Sequence, residues 1–225
     1  MSGRGPEEGL LTVSGVLSRT GRQLLEESPV VLVSGAAATS VSVPAALLLP
    51  RLPAVLVCIL AFTEAVAAAG CLLHERDAGR RAGEKRFAAL RRAALDGLFL
   101  SAVYAALVLI VYSVWAFQRA QGGLALLILA LFQSYVAFVV AASQLYVLPL
   151  CAVRGMAAPR ALVVGMKILF ENPGYSAVAL LQVAAGSVVL AVTLIGLPLV
   201  WPGAFAAFGL NLTANILGRY EACRT

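Results

Sequence analysis

Apolar residues fall along this chain in long blocks, with polar and charged positions gathered between them. Six blocks stand out, over residues 30–49, 54–73, 96–117, 124–153, 176–197 and 199–217. A helix of about twenty such residues crosses the hydrocarbon core of a bilayer. Barrel strands would instead alternate in period two over about ten residues. Lipid offers the backbone no partners, so these segments must satisfy their own N–H and C=O groups as helices. The pattern predicts an all-α fold, a polytopic transmembrane helical bundle of about six spans. It divides the chain into an N-terminal arm (1–29), the bundle (30–217) and a short tail (218–225).

Breakers place the turns. Pro50-Arg51-Leu52-Pro53 predicts a tight turn after the first block, and Pro149 is expected to bend or end the fourth. Pro44 removes a donor from the first block and frees the Ser40 carbonyl. Gly196, Pro198, Pro202 and Gly203 predict a turn between the last two blocks. One long kinked helix with a re-entrant tail is the competing reading.

Two connections read as amphipathic helices. Residues 80–95 set Arg81, Lys85 and Arg92 beside Phe87, Leu90 and Ala94, and Pro159 opens a second piece with Leu162, Met166, Leu169 and Phe170 on its apolar side. Asn172-Pro173 then suits the cap and first turn of the next helix. In the arm, Leu10, Val13, Leu17 and Leu24 share one face and predict an interfacial helix. The length of the arm, with Glu26 and Glu27 beside the first block, distinguishes it from a cleavable signal.

Composition agrees with the blocks. The chain is 61% hydrophobic and 12% charged, with a mean hydropathy of +0.92. Soluble domains are about 45–50% apolar and about 25% charged. The net charge of +6 does not point to nucleic acid, because the basic residues sit in connections. Fifteen of the seventeen Lys and Arg fall on one side of a six-span layout, leaving Arg51 and Arg119 on the other. The positive-inside rule then places both termini in the cytoplasm of a cell-membrane protein. Tyr112, Trp115 and Trp201 at predicted outer ends, and Tyr146, Tyr175 and Tyr220 near inner ones, fit interfacial anchors. Arg81, Lys85 and Arg92 are candidates for contact with anionic lipid headgroups, each contributing about 1 kcal/mol near the surface. The alternative is that they only orient the hairpin.

Candidate chemistry is sparse. Cys58, Cys71, Cys151 and Cys223 form no C-x-x-C pair and read as reduced, small apolar side chains. His74, the only histidine, stands in His74-Glu75-Arg76-Asp77 without a second His or Cys at metal spacing. No metal and no cofactor are expected. Phosphate loops, metalloprotease helices and nucleophile turns are absent, so the chain is not expected to be an enzyme.

Glu64 is different, because it lies near the middle of the second block. A charge there costs about 2.5–3.5 kcal/mol on insertion scales and calls for partners in the bundle interior. Matching depths at 1.5 Å per residue puts Thr39, Ser40, Tyr104, Gln133, Ser134, Ser187 and Asn211 near its level, a candidate polar layer. Such a layer is either a proton or solute site or a hydrogen-bonded brace between helices.

Gln144-Leu-Tyr146-Val-Leu-Pro149-Leu, followed by Arg160-Ala, Lys167 and Asn172-Pro173, resembles the fourth-to-fifth helix connection of the YesL-like family of small prokaryotic membrane proteins. Arg86-Phe-Ala-Ala-Leu-Arg91-Arg92 is similar too, as is the order of spans. The first hairpin departs from the family pattern: Pro53 and Thr63 are separated and the Gly that leads into the second helix is missing. The resemblance implies a membrane protein of unestablished function and carries over no site residue. The sequence therefore supports a non-enzymatic accessory or scaffold component with a membrane-protein partner. The alternative is a small transporter built around Glu64.

Overall fold

The computed structural model describes residues 13–77, 84–192 and 196–222, with side chains placed over slightly shorter stretches. Among the described residues there are eight helices and no strand: α1 (Val13–Glu26), α2 (Ser28–Leu48), α3 (Arg51–Asp77), α4 (Glu84–Gln121), α5 (Leu124–Arg154), α6 (Ala158–Glu171), α7 (Pro173–Val192) and α8 (Gly196–Ala222). Five are long and apolar enough to cross a membrane: α2, α3, and the apolar stretches Phe87–Gln121, Leu124–Arg154 and Leu199–Tyr220 of α4, α5 and α8. The corresponding stretch of α7, Pro173–Val189, is shorter.

Two hairpins form the frame. The first, α2–α3, turns at Leu49 and Pro50, and the Cys58 thiol reaches the Ser42 carbonyl across it at 3.8 Å. The second, α4–α5, turns on Gly122 and Gly123, whose φ of 67° and 103° lie where only a residue without Cβ is unstrained. Trp115 Nε1 donates to Ser134 Oγ across it at 3.0 Å.

Several predicted boundaries move. The basic connector is not a separate helix, because Glu84–Gln121 is continuous. Its Ala, Leu and Arg residues are strong helix formers with no breaker before Asp96. Pro149 neither ends nor starts an element, and α5 runs on to a left-handed Gly155 cap at φ 59°. Proline cannot donate to the Leu145 carbonyl one turn back. At that point Gly209 of α8 packs so closely that a Cβ would meet the Leu145 oxygen and the Pro149 ring at 3.0 Å.

α8 runs through the middle. Ala206–Thr213 is buried throughout, and the helix touches α1, α2, α3, α5 and α7. The Pro/Gly run expected as a turn lies inside it instead. Pro198 falls in the first turn, and Pro202 and Gly203 are helical. The glycines serve close approach: a Cβ on Gly203 would meet Val31 Cα at 2.7 Å, and one on Gly35 would overlap the Leu199 backbone. α7 and α8 are two helices, so the single kinked helix is set aside. Gly186 lies under Trp201, and Asn215 Nδ2 donates to Tyr175 Oη at 2.7 Å.

The amphipathic pieces dock by faces that only partly match those predicted: Leu169 is buried, and Leu162 and Leu24 pack against the core. α6 buries Ala158, Ala161, Gly165, Ile168 and Leu169, while Phe170 is exposed. It lies on α5 through Gly165, where a Cβ would meet Val147 at 2.7 Å. Asn172 uses its side-chain amide on the Ile168 carbonyl and the Tyr220 hydroxyl; α7 starts with the Ser176 N–H donating to the Asn172 carbonyl. α1 forms as expected but packs against α8. Val16 and Thr20 are buried and Leu17 is exposed, because Asn211 Nδ2 donates to Thr20 Oγ1 at 3.2 Å and Gln23 Oε1 at 2.8 Å. Leu10 of the predicted face lies outside the described residues.

Candidate functional site: a charged vestibule and an apolar groove

Among the described residues, those matched by depth to Glu64 form no hydrogen bond with it or with one another. Thr39 Oγ1 donates to the Gly35 carbonyl at 2.8 Å, Ser134 Oγ to Ala130 at 2.7 Å and Ser187 Oγ to Val183 at 2.8 Å. Ser40 does the same to Ala37 at 2.9 Å. Each hydroxyl is satisfied by its own helix, the usual fate of Ser and Thr in a helix interior. Gln133 Oε1 and Tyr104 Oη are buried without a partner in hydrogen-bond geometry. Asn211 serves α1. Glu64 itself is half-buried beside α4, where a Cβ on Gly97 would stand 3.0 Å from its carboxylate oxygen. Among the described residues it has no hydrogen bond and no ion pair. Depth along an axis can be counted from sequence; rotation about the axis cannot.

The charged chemistry gathers elsewhere. A cavity of about 300 Å³ opens between α3, α4 and α5 where α5 ends. Its charged and polar lining comes from His74 and Glu75 on α3, Arg92 and Asp96 on α4, and Arg154 on α5, with the thiols of Cys71 and Cys151. Alanines 67, 89, 93 and 152 leave the space.

Asp96 has a defined task. Its Oδ1 accepts the Ala158 N–H at 3.0 Å, at the start of a helix whose own cap residue, Ala157, offers no side-chain acceptor. A carboxylate at that position satisfies an orphan donor and faces the positive end of the α6 dipole. Glu75 and Arg154 are also engaged. Arg92 forms no ion pair among the described residues; its Nη1 lies 3.9 Å from the position a Gly155 Cβ would take. Of the other candidate headgroup contacts, Arg81 and the Lys85 side chain lie outside the described residues. Cys58, Cys71 and Cys151 are free thiols. No three metal-ligating side chains converge among the described residues.

A second cavity, of about 520 Å³, continues between the same three helices and the end of α2. Phe62, Ile59, Leu107, Val108 and Ala141 make it apolar. Its hydrogen-bonding groups are Thr63, already bonded to the Ile59 carbonyl, Cys58, Tyr104 and Gln144. The Tyr104 hydroxyl sits next to the Gln144 amide.

Sequence reasoning used Asp96 only as the edge of a block and Gln144 only as part of a motif. The signal was present in both: a polar residue where an apolar helix should have none needs a reason. No protein-family model, curated protein or solved structure matches the chain.

Proposed function

We propose that the chain is a multi-pass protein of the cell membrane with both termini cytoplasmic. In this reading it is not an enzyme but an accessory or scaffold component beside a membrane-protein partner. Five helices of sufficient length and apolarity support membrane residence. Large exposed side chains such as Leu47, Leu48, Phe132 and Phe138 suit a lipid-facing surface. The YesL-like motifs are consistent with it.

The observation that carries the accessory reading over transport is the fate of the mid-depth polar groups. Among the described residues, the hydroxyls of Thr39, Ser134 and Ser187 are bonded to carbonyls of their own helices, and none of them bonds to Glu64. The transporter alternative keeps one observation in its favour, the unpaired carboxyl of Glu64. Proteoliposomes with an entrapped pH-sensitive dye separate the two. The accessory reading expects proton leak equal to protein-free vesicles, with Glu64→Gln unchanged; a leak abolished by Glu64→Gln would establish the transporter instead.

The crossings also take a specific form in this proposal. α2 to α5 cross four times. α8 meets α2 at Gly35 and Val31, and Gly35 lies thirteen residues before the end of α2 at Leu48, about 20 Å of helix. The α7–α8 hairpin therefore enters from the side of the termini and turns within the bilayer, sheltered by protein as membrane backbone requires. Six full crossings and this arrangement keep the same charge bias, because both return Arg219 and Arg224 to the inner side.

A further inference from the structure

The vestibule and the groove follow one another along the same three helices. On α3 the lining passes from Ala67 to Thr63 and on α5 from Leu148 to Gln144, one turn each. On α4 it passes from Asp96 to Tyr104, two turns. Chemistry changes sharply across that seam, from Arg92 and His74 at one end to Phe62, Leu107 and Val108 at the other. Arg92 and Val108 are sixteen residues apart on one helix, about 24 Å. One leaflet, headgroup region included, is about 20–22 Å deep. On α3 the lining extends further, from Glu75 to Ala54, about 31 Å of helix. An acyl chain anchored at Arg92 would fill the part of the groove nearer the vestibule, where the polarity changes from charged to apolar.

We propose that this crevice binds an anionic amphiphile: an acyl chain bearing a carboxylate or phosphate head, with the head on Arg92 and the chain in the groove. It rests on the membrane reading above and adds a ligand class to it. Charge selects the head. Arg154 and Glu75 are engaged and one Asp96 oxygen holds the α6 amide, which leaves Arg92 as the cation without a partner among the described residues. A guanidinium presents paired donors that match carboxylate or phosphate oxygens. Gly155, lacking a Cβ, leaves room beside Nη1.

At the seam stands Tyr104, 6% exposed, with its hydroxyl lacking a partner in good geometry. It sits next to the Gln144 amide, and a polar group of a bound molecule could share that pair at the seam. The two cavities share no lining residue, and Leu100, fully buried, stands between Asp96 and Tyr104 on α4. Passage of the chain across the seam therefore requires side chains there to move.

The test is native mass spectrometry of the full chain in mild detergent. It is titrated separately with dioleoylphosphatidylglycerol, dioleoylphosphatidylcholine, oleate and inorganic phosphate. Phosphatidylglycerol and oleate are expected to bind, with phosphatidylcholine and inorganic phosphate each at least about tenfold weaker. Arg92→Gln should weaken phosphatidylglycerol about tenfold. Arg91→Gln removes the same charge outside the lining and should leave binding unchanged. Ala141→Trp fills the groove and should weaken binding of both phosphatidylglycerol and oleate. Circular dichroism and elution volume check that each variant is folded.

Equal binding of phosphatidylcholine, or equal effects of the two arginine variants, would overturn the role given to the head. Phosphate binding as tight as lipid, or an inert Ala141→Trp, would overturn the role given to the chain. The membrane reading fails by a separate route, if alkaline carbonate strips the protein from membranes.

Discussion

Gly35 and Gly70 both lie inside apolar helices, yet only Gly35 meets another backbone. A Cβ on Gly35 would overlap the Leu199 carbonyl, whereas one on Gly70 finds nothing within 4 Å. Gly35→Ala is therefore expected to destabilise the protein by about 1–3 kcal/mol through overpacking. Gly70→Ala should stabilise it by about 0.5–1 kcal/mol through lost backbone freedom in the unfolded chain. Thermal unfolding in detergent reads both, and equal shifts would contradict the α2–α8 contact. Asp96 offers a second residue-scale prediction. Asp96→Ala removes the acceptor for Ala158 and should cost about 1 kcal/mol, with faster amide exchange in the first turn of α6. Asp96→Asn retains a carbonyl oxygen and should lose less. Identical exchange in all three proteins would mean that the bond contributes nothing. The spacing of Gly35 and Thr39 allows a close helix approach, and Asp96 stands out as polar at the edge of an apolar block. Which of the twenty glycines meets a neighbour is decided only by the fold.

At the scale of elements, polar side chains along α8 decide which helices it holds. Asn211 takes α1, Asn215 takes α7 through Tyr175, and Arg219 lies over the Tyr175 ring at 4.7 Å. The spacing of four residues puts all three on one face. Helices without a strong hydrophobic drive toward one another use such bonds for specificity. Asn211→Leu keeps the volume near its original value and removes both bonds to α1. Cleavage by trypsin after Arg19 and Arg22 should then accelerate about tenfold, the factor for a docking loss of about 1.4 kcal/mol. An unchanged cleavage rate would show that α1 is held by Val16 and its apolar neighbours alone. The arm's helical period was legible in sequence, but its partner was not. Of the predicted face, Leu24 packs against the core while Leu17 is exposed. The docked face carries Val16, Thr20 and Gln23, and Asn211 holds the last two with two hydrogen bonds.

For the whole molecule, the open question is how far the α7–α8 hairpin reaches. Single cysteines in a chain lacking Cys58, Cys71, Cys151 and Cys223 address it in intact cells. With a turn inside the bilayer, Gly196→Cys should resist an impermeant maleimide from outside; ready labelling would restore six full crossings. Cys223, retained alone, should label only after the inner face is opened. Its modification from outside would sink the shared placement of the termini. These outcomes concern depth, which charge counting leaves untouched.

Sequence by itself determined that the chain is helical, that several helices match a bilayer, and that basic residues mark one face. Those properties depend on composition and period, which are local along the chain. It also marked Glu64 as costly and Arg92 as basic and near an end. Only the tertiary structure decided what these residues meet. Glu64 lies against the bare Gly97 instead of a polar layer, and Arg92 stands in a cavity closed by α3 and α5. The physical reason is rotation: a helix fixes the height of each side chain, whereas packing against its neighbours fixes the direction it faces.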